Sequence, residues 1–96
     1  MHKELTKKVP QGKMVRLKID FGKTISKIQI NGDFFLYPED SITKIESSLV
    51  GMNADDSVES FEQKISVTLK KHNAQFFGLT SQDLAQIIKE AIGETK

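Results

Sequence analysis

The side chains in this sequence that could do chemistry are few and scattered. His2 and His72 are far apart, and neither has a metal-ligand neighbour at helical or turn spacing. His72 follows Lys70 and Lys71, where cations complement the negative end of a helix dipole. Ser47, Ser48 and Ser57 have no histidine near them in sequence to take a hydroxyl proton, which nucleophilic catalysis by serine requires. There is no cysteine, so disulfides, thiolate metal sites and thiol nucleophiles are excluded. Asp55-Asp56 is explained more simply by helix capping than by cation binding. Gly22, Gly32, Gly51, Gly78 and Gly93 are dispersed and form no phosphate-cradling run. Asp33, directly after Gly32, reads as a turn carboxylate bonded to backbone or as a functional acid. The inventory gives no basis for a self-sufficient catalyst.

What remains is surface chemistry. Gly32-Asp33-Phe34-Phe35 and Phe76-Phe77-Gly78-Leu79 place aromatic pairs beside glycines where sheet gives way to helix. Consecutive strand residues point to opposite faces, so both members of such a pair cannot enter one core. Each pair is either packing at a sheet corner or an interface anchor, a role aromatics favour. Asp33, Phe34, Phe35, Phe76 and Phe77 are therefore the candidate partner-interface residues. The net charge is +1, but residues 1–32 carry +6, residues 33–62 carry −7 and the remainder +2. Lys13, Arg16, Lys18 and Lys27 make a possible basic contact face for an acidic partner surface or nucleotide phosphates; the plainer reading is solubilising charge on outward positions. No basic stripe is interleaved with exposed aromatics, so no nucleic-acid partner is expected.

These groups sit on elements the hydrophobic pattern defines. Val15, Leu17, Ile19 and Phe21 alternate with Met14, Arg16, Lys18 and Asp20, the period of a half-buried strand. Gly22-Lys23 predicts a turn in which Gly22 supplies a positive φ. A second strand over about Ile25 to Asn31 faces Ile28 and Ile30 inward, Asn31-Gly32 signals another turn, and Phe34 to Tyr37 fits a short third strand ended by Pro38. Three helices follow. The first is capped by Asp40 or Ser41, has Ile42, Ile45 and Leu49 on one face and ends at Gly51. The second is capped by Asp56 with Glu59 three residues on, and Val58, Phe61, Ile65 and Leu69 form its stripe. The third starts from Thr80 and buries Leu84, Ile87, Ile88, Ala91 and Ile92, with Leu79 and Leu84 at staple spacing.

The fold class is α+β: a small antiparallel sheet of two to three strands, then three helices packed on one face. Residues 1–11 read as a polar, mobile lead-in, 12–93 as a single domain and 94–96 as a tail. No apolar run approaches the ~18 residues of a membrane span and no apolar leader is visible, so the expected location is cytoplasmic, with no membrane partner.

The ordered set Gly12-Lys13-Met14-Val15, Lys27-Ile28-Gln29-Ile30-Asn31-Gly32-Asp33-Phe34-Phe35, Ile45-Glu46-Ser47-Ser48-Leu49-Val50-Gly51 and Phe76-Phe77-Gly78-Leu79-Thr80 resembles the C-terminal accessory domain of lipoate–protein ligases. The resemblance covers about residues 9–92. A chain carrying only this domain resembles the separate small subunit of a two-part, archaeal-type ligase. Such ligases activate lipoate with ATP to lipoyl-adenylate and transfer the lipoyl group to a lysine of a carrier protein. The resemblance implies a non-catalytic subunit, inactive alone, that forms a heterodimer with the catalytic large subunit and serves lipoyl-domain acceptors indirectly. It implies no cofactor bound by this chain alone, with ATP, Mg and lipoate engaged in the complex. A second reading is a recruitment module for lipoyl-domain carriers or another partner, without catalysis. The fold also resembles U-type iron–sulfur scaffold proteins, whose clusters need thiolates that this sequence lacks.

Overall fold

A computed structural model describes residues 1–10 and 13–93. At its centre, β2 (Met14–Phe21) carries the alternation that defines the sheet: Val15, Leu17, Ile19 and Phe21 are buried, and the intervening residues face out. It pairs antiparallel with β3 (Ile25–Gly32), which sets Leu17 opposite Ile30 and Ile19 opposite Ile28. Gly22 donates its N–H to the Thr24 carbonyl at 3.0 Å. The expected positive φ is not at Gly22; a register shift at Asp20/Phe21 supplies the irregularity that closes the hairpin.

The residues expected to be a mobile lead-in are instead ordered from His2 to Lys8. His2–Lys8 is a strand, β1, paired with β2 along its whole length, so the sheet has the order β1-β2-β3. Only Leu5 is apolar in that stretch, so no hydrophobic period announced it. The strand is held by backbone bonds to β2, by burial of Val9 just beyond it, and by Lys7 Nζ at 2.6 Å from Glu90 Oε1. Lysines are ordinary company on an edge strand, where they discourage pairing with other chains. Gln11, Gly12 and the expected tail 94–96 lie outside the described residues.

The short third strand exists as β4 (Phe35–Tyr37), but it does not extend the main sheet. It pairs antiparallel with β5 (Gln75–Phe77), a segment the sequence had placed only at the approach to the last helix. Helix α1 (Ser41–Leu49) buries Ile45 and Leu49, and Gly51 beyond its end takes φ 93°, as expected. Helix α2 (Val58–Lys71) is capped by Ser57, whose hydroxyl accepts from the Ser60 N–H at 3.1 Å, not by Asp56. The Asp56 carbonyl instead accepts from Lys89 Nζ at 2.9 Å. Helix α3 (Ser81–Gly93) begins as the sequence predicts: Thr80 Oγ1 accepts from the Asp83 N–H at 3.0 Å, and Leu79 and Leu84 are buried.

The helices form a layer on the inner face of the main sheet, α1 against β3 and α3 against β1 and β2, with α2 between its neighbours. Phe61, Ile65, Ile45, Leu84 and Ile88 meet Leu17 and Ile19 in one core. The free edge of β3 is closed by its own chain. The Ile25 N–H donates to the Met52 carbonyl at 2.9 Å, and the Ile30 N–H donates to Glu46 Oε2 at 2.8 Å. The architecture is α+β, as the sequence pattern requires.

Candidate partner interface

The β4–β5 ribbon sorts the aromatic residues by face. Its register sets Phe35 opposite Phe77, Leu36 opposite Phe76 and Tyr37 opposite Gln75. Because faces alternate along a strand, Leu36 and Phe76 turn toward the core while Phe35, Tyr37 and Phe77 turn away. Leu36 is buried and Phe76 half-buried, whereas Phe35 and Tyr37 each keep 71% of their surface exposed and Phe77 keeps 50%. Phe34, just before the ribbon, is half-buried and meets Phe76 edge to face, with ring centroids 5.7 Å apart at 77°. That geometry suits the quadrupoles of two aromatic rings. One member of each pair thus anchors the ribbon and the other is displayed.

Gly32 makes this arrangement possible. A Cβ there would lie 2.2 Å from the Met14 carbonyl oxygen, so any other residue would push the end of β3 off the start of β2. The close approach is fixed by the Asp33 N–H, which donates to that carbonyl at 2.9 Å. Between the end of β3, the ribbon and the start of α1 lies an open groove of about 580 Å³, with walls that include Ile30, Phe34, Phe35, Tyr37, Ile42 and Phe77. Glu39 also lines it.

The remaining candidates fall elsewhere. Asp33 is not in the aromatic groove; it shares an adjoining depression with Met14 and Arg16. Arg16, Lys18 and Lys27 lie on the outer face of the main sheet, but Lys13 does not join them. Its stem crosses Gly78, where a Cβ would come within 2.9 Å of Lys13 Cγ. Nor is the outer face uniformly basic. Glu4 sits opposite Lys18, and Asp20 opposite Lys27 and His2. His2 bridges both acids, Nε2 at 2.9 Å from Glu4 and Nδ1 at 2.6 Å from Asp20. Bonding to Glu4 first, then to Asp20, holds the imidazole above its ordinary pKa, and the bond to His2 holds the Glu4 carboxyl below its own. Positive charge is therefore densest toward Arg16 and is offset toward His2. Tyr37 and Glu39 were missed in the sequence. Alternation with Phe35 and the stop at Pro38 were the signals that could have placed Tyr37 on the exposed face.

No protein-family model matches the chain. Over 43 residues it is 42% identical to a curated protein, "Lipoate-protein ligase A subunit 2" of Thermoplasma acidophilum; the aligned stretch spans 44% of this chain and 46% of that one. The fold extends the likeness. It superposes with a TM-score of 0.72 and 29% identity on a chain from the solved archaeal lipoylation system of the same organism, described as a bi-partite lipoate protein ligase and its E2 lipoyl domain, covering 92% of this chain and 97% of that one. In sequence and in fold, this chain is similar to a subunit of a two-part archaeal lipoate–protein ligase. The structural likeness extends over most of both chains rather than over one short motif. Among the described residues, no helix is long and apolar enough to cross a membrane.

Proposed function

We propose that this chain is a non-catalytic accessory subunit of a lipoate–protein ligase. It docks on the catalytic large subunit as a heterodimer and enables ATP-dependent activation of lipoate to lipoyl-adenylate, the donor for lipoylation of carrier proteins. The observation that supports it most is the likeness, over nearly the whole of both chains, to a chain of the archaeal bi-partite ligase system, beside the shorter match to a subunit 2. The exposed aromatic ribbon supplies a reason for docking, since three large apolar side chains shown together to water are characteristic of an interaction surface. In this reading Phe35 and Phe77 are contact residues, and Phe34 and Phe76 hold the ribbon from behind.

ATP, magnesium and lipoate engage the complex, with their reacting atoms in the large subunit. The contribution of this chain is organisation: docking orients the partner's site and excludes water, and both effects lower a barrier. Arg16, Lys18 and Lys27 face acidic partner surface or the nucleotide phosphates from the outer sheet. The test is reconstitution with the large subunit, lipoate, ATP and magnesium, following pyrophosphate release and lipoyl-adenylate. A rate that depends on this chain supports the reading. Equal rates without it, together with direct capture of lipoyl-domain carriers by this chain, would favour a recruitment module instead.

A further inference from the structure

The groove beside the ribbon is lined mostly by apolar and aromatic residues with Asn31, and Glu39 is the charged residue among those that line it. Glu39 is exposed, and among the described residues the ion pairs join His2 to Glu4 and Asp20 and Lys7 to Glu90, leaving the Glu39 carboxylate without a cation. Its sequence neighbour Asp40 is likewise exposed and outside those ion pairs. Phe35, Tyr37 and Phe77 at their observed exposures present on the order of 400 Å² of aromatic surface beside this acid.

We propose that the groove receives an apolar segment of the partner subunit bearing a lysine or arginine that lies against Glu39. The aromatic rings take the apolar side of the segment, and their faces take the stem or head of the cation. The proposal rests on the docking reading above and adds the chemistry of what docks. A second copy of this chain is a poor occupant. A two-fold contact of groove on groove would bring two copies of Glu39 into one interface with no lysine or arginine among the lining residues to meet them. At the groove itself, Glu39 and the neighbouring Asp40 disfavour an anionic surface such as a membrane or a nucleic acid. A segment that is apolar with one cation satisfies both features at once.

The test titrates the purified catalytic large subunit of the same organism's ligase into this chain and into Glu39→Lys, Glu39→Gln and Tyr37→Ala, by calorimetry at low and high salt, with a thermal melt of each variant. Glu39→Lys should weaken binding on the order of tenfold or more and Glu39→Gln by less, both with a flatter salt dependence than the parent. Tyr37→Ala should weaken it with the salt dependence retained. All melts should overlay the parent, because the altered side chains are exposed. Binding that Tyr37→Ala weakens but neither Glu39 variant changes would overturn the proposal and leave the docking reading standing. Absence of binding by the parent chain would remove both. Self-association of the parent that Tyr37→Ala abolishes would make a second copy the occupant and overturn it as well.

Discussion

Phe35 and Leu36 are neighbours with opposite fates, and exchanging each for alanine separates docking from folding. Phe→Ala at a fully buried site costs about 3–5 kcal/mol. Phe35 keeps 71% of its surface exposed, so less than a third of that is at stake, about 1 kcal/mol. Leu36 is only 7% exposed and sits on the inner side of the ribbon, so Leu36→Ala should cost about 2–5 kcal/mol. In a domain of this size each kcal/mol moves Tm by about 4–8 °C, which keeps the two outcomes apart in a melt. Association should rank them the other way. An aromatic anchor at the centre of an interface is worth at least about 2 kcal/mol, roughly thirtyfold in Kd. Calorimetric titration with the large subunit, run at a temperature where both variants are folded, measures this. A Phe35→Ala chain that melts as early as Leu36→Ala yet binds like the parent would refute the division of the ribbon into a buried and a displayed face.

Three further outcomes follow from the geometry. Gly32→Ala places a methyl 2.2 Å from the Met14 carbonyl oxygen, and the forced shift should cost about 1–3 kcal/mol or more in chemical denaturation. Ser57→Ala should cost about 1 kcal/mol by removing the cap of α2, whereas Asp56→Ala should change the melt little, since Asp56 holds Lys89 through its carbonyl. The His2 network should make attachment of β1 depend on pH. The His2 pKa is raised above 6.5, so its contribution is complete below that value and fades as pH rises through the raised pKa; that of Glu4 is lowered below 4.5, so its contribution is complete above that value and fades as pH falls through the lowered pKa. An NMR titration of the His2 ring should give a midpoint above 6.5, falling most in Glu4→Gln and less in Asp20→Asn; a midpoint unmoved by either variant would contradict the bridge.

The parts of the fold legible in the sequence are those with a buried face of regular period. The alternation from Met14 to Phe21, the inward Ile28 and Ile30, and the Thr80 start and apolar stripe of α3 each carried their own signal. β1 carried none, because an edge strand is held by backbone bonds to its neighbour, and apart from Leu5 its side chains are polar. β5 was hidden for a different reason: its partner, β4, lies almost forty residues earlier, and three residues are too few to show a period. The cap of α2 was misassigned by one residue because Asp56 and Ser57 are equally good caps by type, and only the backbone path decides. At the candidate site, the aromatic pairs were legible as a conflict, since strand geometry cannot bury both members, but which member turned out depended on the register with β5. Sequence alone groups Lys13 and Asp33 with residues they do not meet, because adjacency says nothing of where a turn sends the next side chain.

On the function proposed above, this chain supplies shape to a ligase whose reacting groups lie in another subunit. Single-turnover formation of lipoyl-adenylate by the large subunit, measured across increasing amounts of this chain, tests it most directly. The account predicts a rate that climbs and saturates at one copy of this chain per large subunit, with no adenylate formed by this chain alone. Adenylate made at full rate by the large subunit in its absence would contradict it.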